Sequence, residues 1–255
     1  REGNCESRMS IQGKHFIVTG GGSGVGAKTA KALAKQGAKV TIMGRNETPL
    51  QEQCLSYQVC DVTNEKNVEA AFDVARSEHG PIWGVIANAG AVTSLPFKKV
   101  YQAHLQSMLA VNLIGVSNSF RAGLPDMLDA NDGRMIAIAS TAGLKGYAYA
   151  SAYSAAKHGV VGLVRSLAIE LAPKGITVNA ICPGYIETPL LDSAVENITK
   201  KSNMSRSEVE KTLLKSNPQD RFIQTDEVAE SVLWLCSNGA RSVNGHTMVL
   251  SGGEI

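Results

Sequence analysis

Short apolar runs alternate along the chain with longer segments of helical period. The apolar runs predict seven β-strands, at HFIVT (15–19), KVTIM (39–43), YQVCDV (57–62), WGVIAN (83–88), RMIAIAS (134–140), ITVNAICP (176–183) and HTMVLSG (246–252). These runs are apolar throughout rather than alternating, which is typical of strands that are buried on both faces of a parallel sheet. Helices are predicted between them, at 27–37, from about Asn64, at 98–129 with a break near Pro125, and at 151–172, 190–217 and 226–237.

This alternation of strand and helix indicates an α/β fold with a doubly wound, mostly parallel sheet and helices on both faces. We expect a single domain over residues 10–255. Residues 1–9 are mostly polar and have no period, so we expect a disordered terminus or a remnant of an expression tag there.

Composition excludes several classes of protein. Hydrophobic residues make up 44% and charged residues 19% of the 255 residues, which suits a globular chain with a sizeable core. The net charge of +2 offers no basic field for nucleic acid. No apolar run reaches the roughly 18 residues that a membrane span needs, and no secretory signal is visible. Five cysteines without a CxxC pair predict reduced thiols, a cytoplasmic location and no metal site.

A glycine-rich loop, TGGGSGVG (19–26), joins the first strand to the first helix. The amides at a helix N-terminus attract pyrophosphate, so the loop predicts a dinucleotide site. Two registers fit, GxGxxG/A on Gly22, Gly24 and Ala27, or GxxxGxG on Gly20, Gly24 and Gly26. The second suits the end of the strand better, because Gly20 then makes the turn. A purely structural loop is the alternative.

The residue after the second strand bears on the cofactor. An acid there binds the ribose 2′-hydroxyl group, whereas an arginine accommodates a 2′-phosphate. The strand here runs into Arg45, and no acid follows before Glu47. We therefore expect NADP(H) to be favoured and NAD(H) to be possible, with a solvated arginine as the alternative. Only 16 positions separate Arg45 from Asp61, which leaves little room for a regular helix.

Tyr153 and Lys157 lie four residues apart in a predicted helix, so they share one face. An ammonium group beside a phenol favours the phenolate, which suits general acid–base chemistry. Ser140 ends the fifth strand, where a hydroxyl group could hold a carbonyl oxygen. Together with the glycine loop, this set points to hydride transfer.

In these motifs the sequence resembles the short-chain dehydrogenase/reductase family, in its branch of roughly 250 residues. The resemblance rests on TGGGSGVG, ANAG (87–90), Asn112 in VNLIG, the Ser140–Tyr153–Lys157 set and ICPGYIETP (181–189). It implies a single-domain, NAD(P)-binding Rossmann fold over residues 10–255. The longer sugar-epimerase branch also has YxxxK, but its glycine loop is spaced differently.

The resemblance implies roles for particular residues. Tyr153 would be the general acid or base, Lys157 would lower its pKa and bind ribose, Ser140 would orient the substrate oxygen, and Asn112 would order a relay water. A homotetramer is implied as well. The complete predicted cofactor set is Gly20, Gly22, Ser23, Gly24, Val25, Gly26, Arg45, Asp61, Val62, Asn88, Ala89, Gly90, Tyr153, Lys157, Pro183, Gly184, Ile186 and Thr188.

Residues 190–217, the lid segment, resemble the long substrate lid of 3-hydroxybutyrate dehydrogenases; a solvated insertion is the alternative. The polar residues that hold a carboxylate in that subfamily fall here on Val92, Ala142, Ala150 and Ala194. An unpartnered carboxylate would be costly to desolvate there, so we expect a largely apolar substrate. The predicted substrate-binding set is Val92, Ser140, Ala142, Tyr147, Ala150, Tyr185 and Leu191.

The leading expectation is therefore an NAD(P)(H)-dependent oxidoreductase that interconverts a ketone and a secondary alcohol, a small-molecule ketoreductase or alcohol dehydrogenase. A 3-oxoacyl thioester reductase or 3-hydroxyacyl-CoA dehydrogenase is the alternative among enzymes. A catalytically silent, nucleotide-sensing binding protein is the alternative from another class, although it would not need the proton-donating set.

Overall fold

The computed structural model describes residues 11–202 and 204–255, so the predictions for residues 1–9 lie outside it. Within these ranges seven strands form one parallel sheet in the order β3-β2-β1-β4-β5-β6-β7. The strands are β1 (His15–Thr19), β2 (Lys39–Gly44), β3 (Ser56–Val59), β4 (Ile82–Ala87), β5 (Gly133–Ile138), β6 (Ile176–Pro183) and β7 (Thr247–Leu250).

Helices connect the strands and cover both faces of the sheet. They are α1 (Gly24–Lys35), α2 (Glu47–Gln51), α3 (Glu65–His79), α4 (Gln102–Leu109), α5 (Gly115–Ala130), α6 (Ser151–Leu171), α7 (Pro189–Lys201), α8 (Arg206–Leu214) and α9 (Thr225–Cys236). The predicted fold class, a doubly wound parallel sheet with helices on both faces, is confirmed.

Two apolar cores lie on opposite faces of the sheet. One packs α3, α5 and α6 against the strands, with Phe72 and Phe120 among its fully buried side chains. The other packs α1 and α9, with Phe16 and Leu33 among its members. Because β1 lies between β2 and β4, the connections that leave β1 and β4 diverge at their carboxyl ends. Such a switch point leaves a crevice, and the site is built there.

The third strand differs from its prediction. It covers Ser56–Val59 rather than 57–62, and its residues are half-buried or exposed rather than apolar and buried. The physical reason is its place at the edge of the sheet, where one side has no neighbouring strand and a face can meet water. The opposite edge strand, β7, is likewise only half-buried.

The helical prediction for 98–129 also needs correction. The regular helix begins only at Gln102, and residues 110–114 form a π-helical turn between α4 and α5. Pro125 does not end the helix, since α5 continues to Ala130. The cost of that proline is the loss of one backbone hydrogen bond, and tertiary packing of α5 on β4 compensates for it.

The segment 190–217 is mostly helical, as predicted, and forms the two helices α7 and α8. Ser205 begins α8 with a capping box, in which its hydroxyl accepts from the Glu208 N–H and Glu208 bonds back to the Ser205 N–H. Between 45 and 61 the chain has room only for the short α2, as predicted. Among the described residues, no helix is long and apolar enough to cross a membrane.

Candidate active site

The glycine loop between β1 and α1 is shaped by two positions of left-handed backbone. Gly20 has a φ of +66° and Gly24 a φ of +51°, a region that side chains disfavour. A Cβ at Gly26 would lie 2.1 Å from the Gly20 carbonyl oxygen. These contacts favour the register on Gly20, Gly24 and Gly26. The Ser23 side chain makes no capping bond at α1, and its first turn holds no acid. The first amides of α1 therefore suit an anion.

Asn88, directly after β4, ties the glycine loop to the middle of the sheet. Its side-chain amide donates to the carbonyl oxygens of Thr19 (3.0 Å) and Gly20 (3.2 Å). In return, the Thr19 hydroxyl oxygen accepts from the backbone N–H groups of Asn88 and Ala89, each at 3.1 Å. The two strand ends that flank the crevice are thus held in one register.

The segment after β6 lies across the crevice from this loop. Thr188 Cγ2 is 3.3 Å from the point where a Cβ on Gly24 would stand. Thr188 also begins α7, because its hydroxyl oxygen accepts from the Leu191 N–H. Ile186 pairs with Ile223 in an isolated parallel bridge, which fixes the segment. Pro183 and Gly184 lie at the strand end itself.

The adenosine end of the predicted site is built by β2, α2 and the loop after β3. The Asp61 carboxylate accepts from the N–H and hydroxyl of Thr63, and these bonds, helped by the charge of Arg45, lower its pKa. Val62 is buried against α5, with its carbonyl oxygen bonded by Asn118. Arg45 is exposed. Glu47, which begins α2, accepts from the Tyr57 hydroxyl (3.0 Å).

These features fit a nicotinamide dinucleotide. The glycine loop offers backbone amides to a pyrophosphate, with no room for a side chain at Gly26. Gln53 donates to the Gly22 carbonyl oxygen (3.0 Å) and so fastens the loop to the segment after α2. Gly90 lies close to two of the predicted catalytic side chains, since a Cβ there would be 2.9 Å from Asn112 Oδ1 and 3.8 Å from Lys157 Nζ.

Tyr153 and Lys157 lie one turn apart on α6 and face the carboxyl end of β5. Lys157 is buried, and its ammonium group donates to the Ile138 carbonyl oxygen at 2.9 Å. Its Nζ lies 5.6 Å from the centroid of the Tyr153 ring. The structure thus brings the predicted pair together at the carboxyl end of β5.

Burial shifts both groups toward their neutral forms. It raises the pKa of Tyr153 to about 12, although a hydrogen bond with Ser140 lowers that pKa in part. Burial also lowers the pKa of Lys157 to about 8. Burial is the largest influence on the Tyr153 pKa, and a lowering of that pKa by Lys157 stays a prediction. At neutral pH, Tyr153 is a phenol and Lys157 is still mostly protonated.

Ser140 follows β5 and completes the polar set. Its hydroxyl oxygen accepts from the Ala142 N–H at 3.1 Å, which orients the side chain at the start of a short 3₁₀ turn. Cys182 on β6 lies behind it, and burial raises the pKa of that thiol to about 11. The thiol is therefore neutral at physiological pH, and the side chain packs in the apolar core.

Asn112 is buried in the π-helical turn. Its amide group donates to the carbonyl oxygens of Ala91 (2.9 Å) and Met108 (3.0 Å), and its Oδ1 accepts from the Ala91 N–H. The side chain thereby joins α4 to the loop after β4. Ordering of a relay water by Asn112 stays a prediction.

The predicted pocket wall is more polar than the sequence indicates. Tyr147 and Tyr185 pack edge to face, with ring centroids 6.3 Å apart. The Tyr147 hydroxyl, however, bonds both Thr141 Oγ1 and Glu254 Oε1, each at 2.7 Å. Glu254 in turn pairs with Lys145 at 2.7 Å. A partly buried chain of polar groups thus runs along one side of this wall.

The other predicted substrate-binding residues are buried or only partly exposed to solvent. Ala142 and Ala150 are buried, so their methyl groups offer little surface to a ligand. Val92 and Leu191 are partly exposed, on the loop after β4 and on α7. Sequence patterns missed Glu254, Lys145 and Thr141, because no motif joins them and only the fold brings residue 254 to the loop after β5.

Comparison with known proteins agrees with this geometry. The family model for short chain dehydrogenases matches residues 14–199. A D-beta-hydroxybutyrate dehydrogenase of Cupriavidus necator is 33% identical, over 96% of this chain and 99% of that protein. A levodione reductase of Leifsonia aquatica is 32% identical, over 93% of this chain and 92% of that protein.

A solved structure shares the architecture. The crystal structure of a variant of actinorhodin polyketide ketoreductase with NADPH superposes with a TM-score of 0.91 at 33% identity. That match covers 94% of this chain and 97% of the other.

Proposed function

The chain belongs to the short chain dehydrogenase family and is an NAD(P)-dependent oxidoreductase for ketones and alcohols; from that premise we propose that its substrate is a largely apolar, uncharged ketone or secondary alcohol. The observation that carries the proposal is the wall beside Tyr153, where Tyr147 and Tyr185 pack together and Lys145 is already paired with Glu254.

Each of the four predicted catalytic side chains has its own role in the proposed reaction. A bound nicotinamide supplies or accepts the hydride. Tyr153 gives its phenolic proton to the substrate oxygen in reduction and takes it back in oxidation, and the Ser140 hydroxyl orients that oxygen. Lys157 favours the phenolate by its charge and binds the ribose. Asn112, by fixing the loop at Ala91, keeps Gly90 beside the ammonium group of Lys157.

The residues that would hold the cofactor lie on the segments that follow the strands at their carboxyl ends. The amides of α1 suit the pyrophosphate, Asp61 and Val62 the adenine, and Thr188 with Ile186 the nicotinamide carboxamide. Glu47 is a second candidate for the ribose hydroxyl groups, since its carboxylate is held by Tyr57 near the end of β2.

We assign NADP(H) as the favoured cofactor. Arg45 is exposed at the end of β2, where a guanidinium group can bind a 2′-phosphate through two hydrogen bonds. A contact of this kind is worth about 1.5–3 kcal/mol, roughly 10- to 100-fold in affinity. Titration with NADPH and NADH, followed by tryptophan fluorescence, tests it. Arg45→Ala should weaken NADPH binding alone, and tighter NADH binding by the unaltered protein would contradict the assignment.

A 3-oxoacyl thioester reductase is the second candidate. One relative of known structure is named a polyketide ketoreductase, and a thioester tail outside the pocket would need no carboxylate anchor. Comparing kcat/KM for a 3-oxoacyl thioester with that for a cyclic ketone separates the two. A thioester preference above roughly 100-fold would favour the second candidate.

We also propose a homotetramer in the cytoplasm, with residues 190–217 acting as a lid over the substrate. Ile169 on α6 is 80% exposed and Ile114, next to α5, is 48% exposed, which favours burial against further copies of the chain. The described cysteines are free, as reduced thiols would be. Sedimentation velocity tests the assembly, and a monomer at micromolar concentration would contradict it.

A further inference from the structure

Glu254 carries a carboxylate that the motifs of the family do not explain. Its side chain is only 3% exposed, and its Oε1 forms an ion pair with the Lys145 ammonium group and accepts a hydrogen bond from the Tyr147 hydroxyl, each at 2.7 Å. A buried carboxylate is costly to desolvate unless it is paired. The ion pair and the hydrogen bond at one oxygen therefore hold Lys145 and Tyr147 together.

This ion pair lies on the substrate side of the site. Tyr147 also hydrogen-bonds Thr141, the residue that follows Ser140, and its ring packs on Tyr185. The negative charge of Glu254 contributes, after burial, to the raised pKa of Tyr185, and Tyr185 acts in the same way on Tyr153. A small cavity beneath α8 is lined by Glu254, Tyr185 and Leu213.

Lys145 is the charged residue of the loop that joins β5 to α6. Its side chain is 37% exposed, so solutes have access to it, and its ammonium group lies 5.0 Å from the centroid of the Tyr147 ring. A free lysine there would be a natural partner for a substrate carboxylate. Because Lys145 is paired with Glu254, the net charge of the two side chains is zero. The negative charge of Glu254 would also repel an incoming carboxylate.

We propose that Glu254 is a specificity-determining residue, which neutralises Lys145 and thereby excludes substrates that carry a carboxylate. This inference rests on the proposed function and deepens it. On this account, selectivity against acids does not come from apolar side chains alone. Glu254 pairs with Lys145, the cation that a substrate carboxylate would otherwise bind.

Glu254→Gln tests the inference, because glutamine keeps an acceptor for Tyr147 and removes only the charge. We suggest measuring kcat/KM for 4-oxocyclohexanecarboxylate and for its methyl ester, which share one ring and differ by one charge. In the unaltered enzyme the ester should be preferred. In Glu254→Gln the ester-to-acid ratio should fall roughly 10-fold, because Lys145 is released.

Three further variants separate charge from structure. Glu254→Gln with Lys145→Met should restore the original ratio. Lys145→Met alone should raise the ratio, because the charge of Glu254 is then uncompensated. Glu69→Gln, which removes an exposed carboxylate that pairs with Arg121 on the distant α3–α5 face, should leave the ratio unchanged. Binding of the acid to the enzyme–NADPH complex, followed by nicotinamide fluorescence, should tighten only in Glu254→Gln.

The outcomes distinguish this inference from the proposed function. If no ketone is turned over by the unaltered enzyme, the proposed function fails. If ketones are turned over but the ester-to-acid ratio and acid binding are the same in Glu254→Gln, the role of Glu254 is wrong. A ratio that falls equally in the double variant would also overturn it, since Lys145 would then not be the group released.

Discussion

At the scale of single residues, the proposed chemistry depends on two groups whose pKa values burial shifts in opposite directions. Tyr153 is held as a phenol with a pKa of about 12, and the pKa of Lys157 falls to about 8. A phenol is the form that a general acid needs for ketone reduction. Alcohol oxidation needs the phenolate, so its rate should rise with pH while the rate of reduction falls.

Tyr153→Phe should reduce kcat by at least 100-fold while the dissociation constant for NADPH stays nearly unchanged. The variant removes the proton donor and keeps the ring, and general acid catalysis is typically worth 10²–10⁴-fold. Tyr149→Phe is the matched control, because Tyr149 lies in the preceding loop and is exposed. A Tyr153→Phe enzyme that keeps more than about a tenth of kcat would rule out Tyr153 as the acid.

The lowered pKa of Lys157 also predicts how the free energy of unfolding depends on pH. Its pKa is about 8 in the folded protein, against an ordinary lysine value of 10.5, so the unfolded state binds more protons between these values. Its contribution to the free energy of unfolding should therefore rise with pH from about 8, by roughly 1 kcal/mol per pH unit at most.

Urea unfolding of the unaltered protein and of Lys157→Met at pH 7.5 and 9 measures this contribution as a difference. The buried thiols oppose the trend as their unfolded forms ionise, but they are common to both proteins and largely cancel. A difference between the two proteins that does not change with pH would mean that Lys157 has an ordinary pKa.

At the scale of elements, local patterns predicted most of the site, because each motif lies at a strand end. TGGGSGVG, ANAG and the Tyr153–Lys157 pair could be placed from the sequence, since strand period and helix spacing fix where their side chains point. The π-helical turn around Asn112 and the polar wall at Glu254 could not. Both depend on contacts between residues that are distant in the sequence. The spacing of hydrophobic residues does not predict such contacts.

Gly26→Ala should abolish measurable binding of either cofactor. The new methyl group would meet the Gly20 carbonyl oxygen at 2.1 Å, so the turn that presents the amides of α1 must open. Gly162→Ala is a matched control on α6, where a Cβ meets nothing within 4 Å and where alanine favours the helix by up to ~1 kcal/mol. Unchanged cofactor affinity in Gly26→Ala would contradict the assigned site.

Leu191 tests the role of α7 as part of the lid. Leu191→Ala should raise KM for a bulky ketone more than for a small one, because it removes apolar surface that only a bulky ligand reaches. Leu190→Ala is the natural comparison, since Leu190 is the more exposed neighbour on the same helix. Equal effects of the two variants on both substrates would exclude a direct role for Leu191.

At the scale of the whole molecule, the order of the strands assembles the site from all parts of the chain. The crevice at the switch point takes its glycine loop from the first quarter, its acid–base pair from the middle, and Glu254 from the last residues. The sequence predicted this architecture and the ketone chemistry. It overstated the apolar character of the pocket, because Glu254 adds a charge pair that no local pattern indicates.

The central claim is that the enzyme reduces a bulky, uncharged ketone and discriminates against a small keto acid. The most direct test is kcat/KM with NADPH for a cyclic or aryl ketone and for acetoacetate, measured on the same preparation. Apolar burial is worth about 25 cal/mol per Å², so a ring should favour the bulky ketone by roughly 10-fold or more. A value for acetoacetate equal to or above that of the bulky ketone would contradict the account.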